Sequence, residues 1–261
     1  MPACASADRP RERTKWCCWH GLFRSKCTFD PKIFPLFSER TPIVDIVADM
    51  TNMKNADWYF DFISPYAYFG FIHLDRLSPR LDILYRPVLF AGLLKHWGQK
   101  GPAEIPAKRV WTYRWCTWWA AQQGIAFRCP AVHPFNPLPF LRLGIAAGNT
   151  PRAIRRIFEA VWTTGADPAD ERTFRELARS LDVDPRRVGE QAIKDALRVE
   201  TDQAVARGVF GVPTLIVDDE LFWGADAMDF IEAYLADPGI IATQEMRRAK
   251  ALPVGATRKR D

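Results

Sequence analysis

The chain has 261 residues, 48% of them hydrophobic, enough to bury one large core or two closely packed ones. Its formal net charge of +5 is uneven: residues 247–260 carry six Lys/Arg and no acid, whereas 50–246 hold 22 basic against 24 acidic residues. A near-neutral body predicts no phosphate-neutralising surface for nucleic acid, and no apolar run approaches the roughly 20 residues of a membrane helix.

Four of the six cysteines (Cys4, Cys17, Cys18, Cys27) precede residue 50. Cys116 and Cys129 lie in the body without metal-ligand spacing, so reduced thiols, a cytoplasmic compartment and no metal are expected. Residues 1–49 alternate Cys, Trp, Pro and Arg without helix or strand period, and Asp30-Pro31 to Pro35 breaks any element. Residues 1–53 are therefore expected to stand outside the folded body, as a disordered extension or as residues ahead of a start at Met50 or Met53. The basic residues 241–261 are expected to form a disordered tail.

The first clear element is a strand over Trp58–Ile63, in which Trp58, Phe60 and Phe62 alternate with Tyr59 and Asp61. Ser64 takes the N-cap of the helix that follows and Pro65 its first position, where a missing N–H costs nothing. Tyr66, Phe69, Gly70, His73, Leu74 and Leu77 continue it at helical spacing. A second strand, Leu81–Val88, completes a strand–helix–strand unit and so predicts a parallel pair. From Phe90 to about Gly208 the pattern is helical: Lys108–Gln123, Arg152–Trp162, Thr173–Leu181 and Pro185–Arg207. Two strands return at Thr214–Val217 and Leu221–Trp223 around Asp218-Asp219, and Asp226 opens a last helix to Leu235. The fold class expected is α/β: a thioredoxin-like sheet (54–90 and 208–240) with an all-helical domain inserted at 91–207.

Three motifs sit at strand ends. Ser64-Pro65-Tyr66-Ala67 occupies the strand-to-helix turn where thioredoxin-like redox proteins carry Cys-x-x-Cys. With Ser64 and Ala67 in the cysteine positions, the chain has no redox pair there, but a hydroxyl at that spot can donate to another molecule's thiolate. Glutathione is the natural source of that sulfur. Phe210-Gly211-Val212-Pro213-Thr214 precedes a strand, and a cis Val212–Pro213 bond would offer the Val212 backbone to an extended peptide. Trp223-Gly224-Ala225-Asp226 turns from strand to helix. Its N–H groups suit a carboxylate, and Asp226 suits a free α-amino group.

In this order and spacing the three motifs resemble the 2-hydroxychromene-2-carboxylate isomerases, a family of the DsbA-like group close to kappa-class glutathione transferases. The resemblance spans about residues 56–240. It implies a homodimeric enzyme that uses glutathione as cofactor to isomerise a small aromatic carboxylate of a degradation pathway. Ser64 matches the serine at the glutathione sulfur. Val212 and Pro213 match the segment that pairs with the cysteinyl unit, and Trp223, Gly224, Ala225 and Asp226 the turn that holds the γ-glutamyl end. Lys95 resembles a basic residue near the substrate. The loop Gly101–Pro106, ahead of Lys108, carries Glu104 and Ile105 where the family often has an Asn.

Other residues have simpler readings. Ser64 and Asp226 are also good helix caps. Trp111, Trp115 and Trp118, at i, i+4 and i+7, read as a core stripe, with Trp119 and Tyr113 the better candidates for an aromatic-substrate pocket. His73 reads as a core histidine, and His96 and His133 as loop residues without ligand spacing. Asn136 is placed either in the cleft or in a turn, and Lys95 either at a solvated helix end or on a substrate carboxylate. The rival functions are a kappa-type transferase or peroxidase and a non-catalytic binding protein. A thiol–disulfide oxidoreductase is the weakest, given Ser64 and Ala67.

Overall fold

In the computed structural model, which describes residues 53–77 and 79–256, the first element is strand β1 (Lys54–Phe60). Ala56, Trp58 and Phe60 are at most 2% exposed on one face of it, and Tyr59 is buried on the other, the period of two that the pleat imposes. β1 begins before Trp58 because Lys54 to Phe60 pair in parallel with Leu81 to Pro87, strand β2 (Leu81–Pro87). It ends before Ile63 because the Asp61 carboxylate accepts the Ile63 N–H at 3.0 Å and turns the chain. The extension expected over 1–53 lies outside the described residues except for Met53.

Helix α1 (Pro65–His73) connects the two strands, capped by Ser64, whose φ/ψ of −93°/118° is extended and whose Oγ accepts the Ala67 N–H at 3.2 Å. The helical segment follows: α2 (Phe90–Trp97), α3 (Pro106–Gln123), α4 (Leu138–Ala146), α5 (Pro151–Trp162), α6 (Glu171–Ser180) and α7 (Gln191–Ala206). Strands β3 (Thr214–Val217) and β4 (Glu220–Trp223) return through Asp218 and Asp219, both at positive φ, and helix α8 (Met228–Ala236) comes after them. Strand order is β2-β1-β3-β4, with β1 parallel to β2 and antiparallel to β3, and β3 antiparallel to β4.

The sheet is covered on both faces. Trp58 and Phe60 pack with Phe62, Phe71 of α1 and Phe158 of α5. On the opposite face Tyr59 and Ile216 meet Leu93 of α2, Ala204 of α7, Val209 and Val212. This is the thioredoxin-like sheet with helical insertion that the element order predicts, and α5 of the insertion forms part of the sheet's own core.

Two expectations change. Trp111 and Trp118 are not core: they are 64% and 58% exposed. α3 faces inward through Thr112, Cys116 and Ala120, small side chains that let the helix approach closely, and Trp115 lies stacked on Trp119 with ring centroids 5.6 Å apart. The tail is not without order from residue 241: Gln244–Lys250 is helix α9. Thr243 caps it by accepting the Met246 N–H at 3.3 Å, and Arg248 pairs with Glu245 one turn back. Arg258, Lys259 and Arg260 lie outside the described residues. His96 falls within α2 rather than in a loop.

Candidate active site

The turn from Asp61 to Ser64 is tied down at every step. Asp61 is fully buried; its Oδ1 accepts the Ile63 N–H at 3.0 Å, its Oδ2 the Phe90 N–H at 2.9 Å, and its carbonyl the Ser64 N–H at 3.1 Å. Burial pushes the Asp61 carboxyl up to about 7, against the pull of those two backbone donors. The helical segment secures the two residues between. The Trp162 indole N–H donates to the Phe62 carbonyl at 2.9 Å, and His133 Nε2 lies 2.8 Å from the Ile63 carbonyl. Ser64 emerges at the N-terminus of α1, 7% exposed, its Oγ 3.5 Å from the Val212 carbonyl oxygen. That contact is at the limit of a hydrogen bond, so the hydroxyl proton is only weakly engaged.

Val212 and Pro213 face that helix end, and their peptide bond is cis. Gly70 of α1 allows the approach: a Cβ there would stand 3.0 Å from Pro213 Cγ. The Val212 N–H donates to no backbone acceptor among the described residues. The third motif is joined to the second by the Gly224 N–H, which donates to the Pro213 carbonyl at 3.0 Å. Gly224 adopts φ +104°, ψ 156°, where a side chain would be strained. The 3-10 turn Ala225–Ala227 packs against α1, and the Asp226 charge, after burial, helps raise the Tyr66 phenol. Trp223 is 55% exposed and its indole lies over Gly211, where a Cβ would be 2.5 Å from Nε1. Ser64, Val212, Pro213, Trp223, Gly224, Ala225 and Asp226 thus converge on the end of α1.

The three residues assigned to substrate are placed differently. Lys95 is exposed at the end of α2. Asn136 is exposed and its Oδ1 accepts the Leu138 N–H at 3.1 Å, the turn role of its two readings. The Tyr113 hydroxyl is engaged 2.6 Å from His133 Nδ1. Glu104 accepts the Gly101 N–H at 2.6 Å and so caps its own turn. Sequence reasoning gave no site role to Asp61, His133 or Trp162. An acid between two phenylalanines is the only local trace of the first, and nothing local points to the others. Burial raises both body thiols, Cys116 to about 12. Among the described residues no group of three or more His, Cys, Asp or Glu is placed to hold a metal ion, and no helix is long and apolar enough to cross a membrane.

The model of the DsbA-like thioredoxin domain matches residues 56–236. A 2-hydroxychromene-2-carboxylate isomerase of Sphingobium xenophagum is 32% identical over 193 residues, covering 70% of this chain and 99% of that protein. This chain belongs to the 2-hydroxychromene-2-carboxylate isomerase family of DsbA-like thioredoxin proteins. A solved 2-hydroxychromene-2-carboxylate isomerase superposes with a TM-score of 0.61 at 25% identity, over 74% of this chain and 98% of the other. The family borders the kappa glutathione transferases: kappa 2 of Caenorhabditis elegans is 27% identical over 213 residues, 72% of this chain and 95% of its own.

Proposed function

We propose that this chain is a glutathione-dependent isomerase acting on a small aromatic carboxylate of the 2-hydroxychromene-2-carboxylate type, as a cytoplasmic homodimer. The observation that carries the reading is the Ser64 hydroxyl at the N-terminus of α1, 3.5 Å from the Val212 carbonyl and with its proton only weakly engaged. A glutathione thiol has a pKa of about 8.5, so only a few per cent is thiolate at neutral pH. Ser64 would donate to the sulfur while the N-terminus of α1 supplies positive potential, and both favour the thiolate. Val212 would offer its N–H and C=O to the cysteinyl unit. The turn Trp223–Asp226 would take the γ-glutamyl end, the N–H groups of Ala225 and Asp226 on the carboxylate and the Asp226 side chain on the ammonium.

The ring C–O bond of the hydroxychromene hemiketal breaks first, the 2-hydroxyl proton passing to the phenolic oxygen, which leaves a ketone conjugated to a cis carbon–carbon double bond; the thiolate then adds to that double bond. A C–S bond forms and the π pair moves onto the carbonyl oxygen. The former double bond rotates as a single bond. The electron pair then returns, the C–S bond breaks, and the ring-opened trans product leaves with glutathione unchanged. Lys95 is proposed as the partner of the substrate carboxylate, with Tyr113 lining the aromatic end.

The likeness to kappa transferases favours a second reading, in which the sulfur adduct is released as product. One assay separates the two: isomerisation of the hydroxychromene carboxylate is followed together with free glutathione. Turnover without loss of glutathione supports the isomerase, stoichiometric loss the transferase, and the absence of glutathione binding refutes both.

A further inference from the structure

Residues 124–137 form no helix or strand, yet they carry the group that reaches the Ser64 turn. The segment is pinned by the Arg128 N–H to the Trp162 carbonyl (2.6 Å), the Ala131 N–H to the Ala166 carbonyl (3.1 Å) and the Tyr68 hydroxyl to the Ala126 carbonyl (2.7 Å). The His133 ring sits between Tyr113, Phe135 and Trp162, at centroid distances of 5.4, 5.9 and 5.4 Å. Both of its nitrogens are used. A carbonyl only accepts, so at 2.8 Å from the Ile63 oxygen Nε2 must carry the proton. Nδ1 is then bare in the neutral ring and accepts the Tyr113 O–H at 2.6 Å, the shorter of that hydroxyl's two contacts, the other being the His133 carbonyl at 3.1 Å. Burial, the Ile63 carbonyl notwithstanding, lowers the His133 pKa, and the Arg109 guanidinium adds to the lowering. The charged and titratable groups that face the ring are Arg109 and Tyr113, both from α3. Trp162 of α5 and Phe135 of its own loop bring no charge.

We propose that His133 is a positioning residue for Ser64: the chain Tyr113 O–H to His133 Nδ1, His133 Nε2–H to the Ile63 carbonyl, sets where α3 and its loop hold the residue immediately before the serine. Ile63 has few alternatives. Its N–H is bound to Asp61 and its carbonyl to His133, so the peptide that delivers Ser64 is fixed at one side by the sheet and at the other by the helical segment. The arrangement also explains why Tyr113, half-buried beside the site, turns its hydroxyl to the histidine. The consequence for thiol activation rests on the glutathione reading above; the positioning itself does not.

The test compares the wild type with Tyr113→Phe, His133→Gln and His133→Ala. Gln keeps a donor near the Nε2 position and loses the Nδ1 acceptor; Phe keeps the ring of Tyr113 and loses its hydroxyl. Two quantities are read: hydrogen exchange of the Ala67 amide, which donates to Ser64 Oγ, and the thiol pKa of bound glutathione by thiolate absorbance. His133→Ala should speed Ala67 exchange about tenfold or more and raise the thiol pKa by about half a unit or more. His133→Gln should restore most of both, and Tyr113→Phe should fall between. Wild-type values in every variant overturn the proposal, as does equal disturbance in Gln and Ala, which would make His133 a packing residue only. If His133→Ala does not fold, the contrast of Tyr113→Phe and His133→Gln with the wild type decides in the same way. If the wild type binds no glutathione, the functional reading falls while Ala67 exchange still decides the positioning.

Discussion

Ser64→Ala separates a helix cap from an activator of sulfur. The hydroxyl has two jobs in the geometry: it accepts the Ala67 N–H at 3.2 Å, and it holds its proton loosely toward the Val212 carbonyl at 3.5 Å. Losing the first costs about 1 kcal/mol, the usual cost of a missing N-cap. The fold tolerates this, since Pro65 still starts α1 and the buried side chains Ala67, Phe69 and Phe71 are untouched. Losing the second removes a hydrogen bond to a charged sulfur, worth about 1.5–3 kcal/mol, which is a thiol pKa raised by about one to two units. The helix N-terminus remains, with its own contribution of about 0.3–1 kcal/mol, so the pKa should stay below that of free glutathione or close to it. Glutathione affinity, resting on Val212 and the Trp223–Asp226 turn, should change less than turnover, which at neutral pH should fall about tenfold or more. Thiolate absorbance of the bound tripeptide against pH gives the first quantity and steady-state isomerisation the second. A variant with unchanged thiol pKa and full turnover would reduce Ser64 to a cap and refute the mechanism.

Asp61→Asn tests the buried carboxyl. Its folded pKa is raised from 3.8 to about 7, so its stabilising contribution is complete below about pH 4 and is lost as pH rises through about 7, a swing on the order of 4 kcal/mol. The variant does not titrate, and urea unfolding across that window should lose most of the wild-type slope; an equal slope refutes the assignment. Trp111→Gln with Trp118→Gln should change stability by about 0.5 kcal/mol or less each, because both rings are mostly exposed; a loss of about 3 kcal/mol would place them in the core after all. Gly211→Ala puts a Cβ 2.5 Å from the Trp223 indole, which must swing away; the melting temperature should hold within a few degrees while glutathione affinity, by calorimetry, weakens several-fold. Undiminished affinity would remove Trp223 from the site.

What the chain revealed in advance were the features written in short-range pattern. The alternation of Trp58, Phe60 and Phe62, the Ser64-Pro65 start of α1 and the paired strands around Asp218-Asp219 each depend on neighbours within a few positions. Since all three site motifs lie at ends of those elements, strand order alone brought them together. Periodicity failed where orientation mattered. It placed Trp111, Trp115 and Trp118 on one face of α3, but not which face turns inward, and the smaller Thr112, Cys116 and Ala120 took the buried side. The helix at Gln244–Lys250 was masked by its basic composition, although Thr243 and the Glu245–Arg248 pair are ordinary local determinants.

Asp61, His133 and Trp162 were hidden for a different reason: the bonds of His133 and Trp162 to the Ser64 turn join residues 70 and 100 positions apart, and the bond that ties Asp61 to the start of α2 spans 29. No window of sequence contains both partners. Their placement divides the labour of the fold. The sheet brings Ser64, the Val212–Pro213 segment and the Trp223–Asp226 turn together. The helical segment then fixes the carbonyls of Phe62 and Ile63 through α5 and the 124–137 loop, and the Phe90 N–H at the start of α2 donates to the remaining Asp61 oxygen. Changes in the helical segment therefore reach the Ser64 turn through two carbonyls and one carboxylate, at a distance from the Trp223–Asp226 turn.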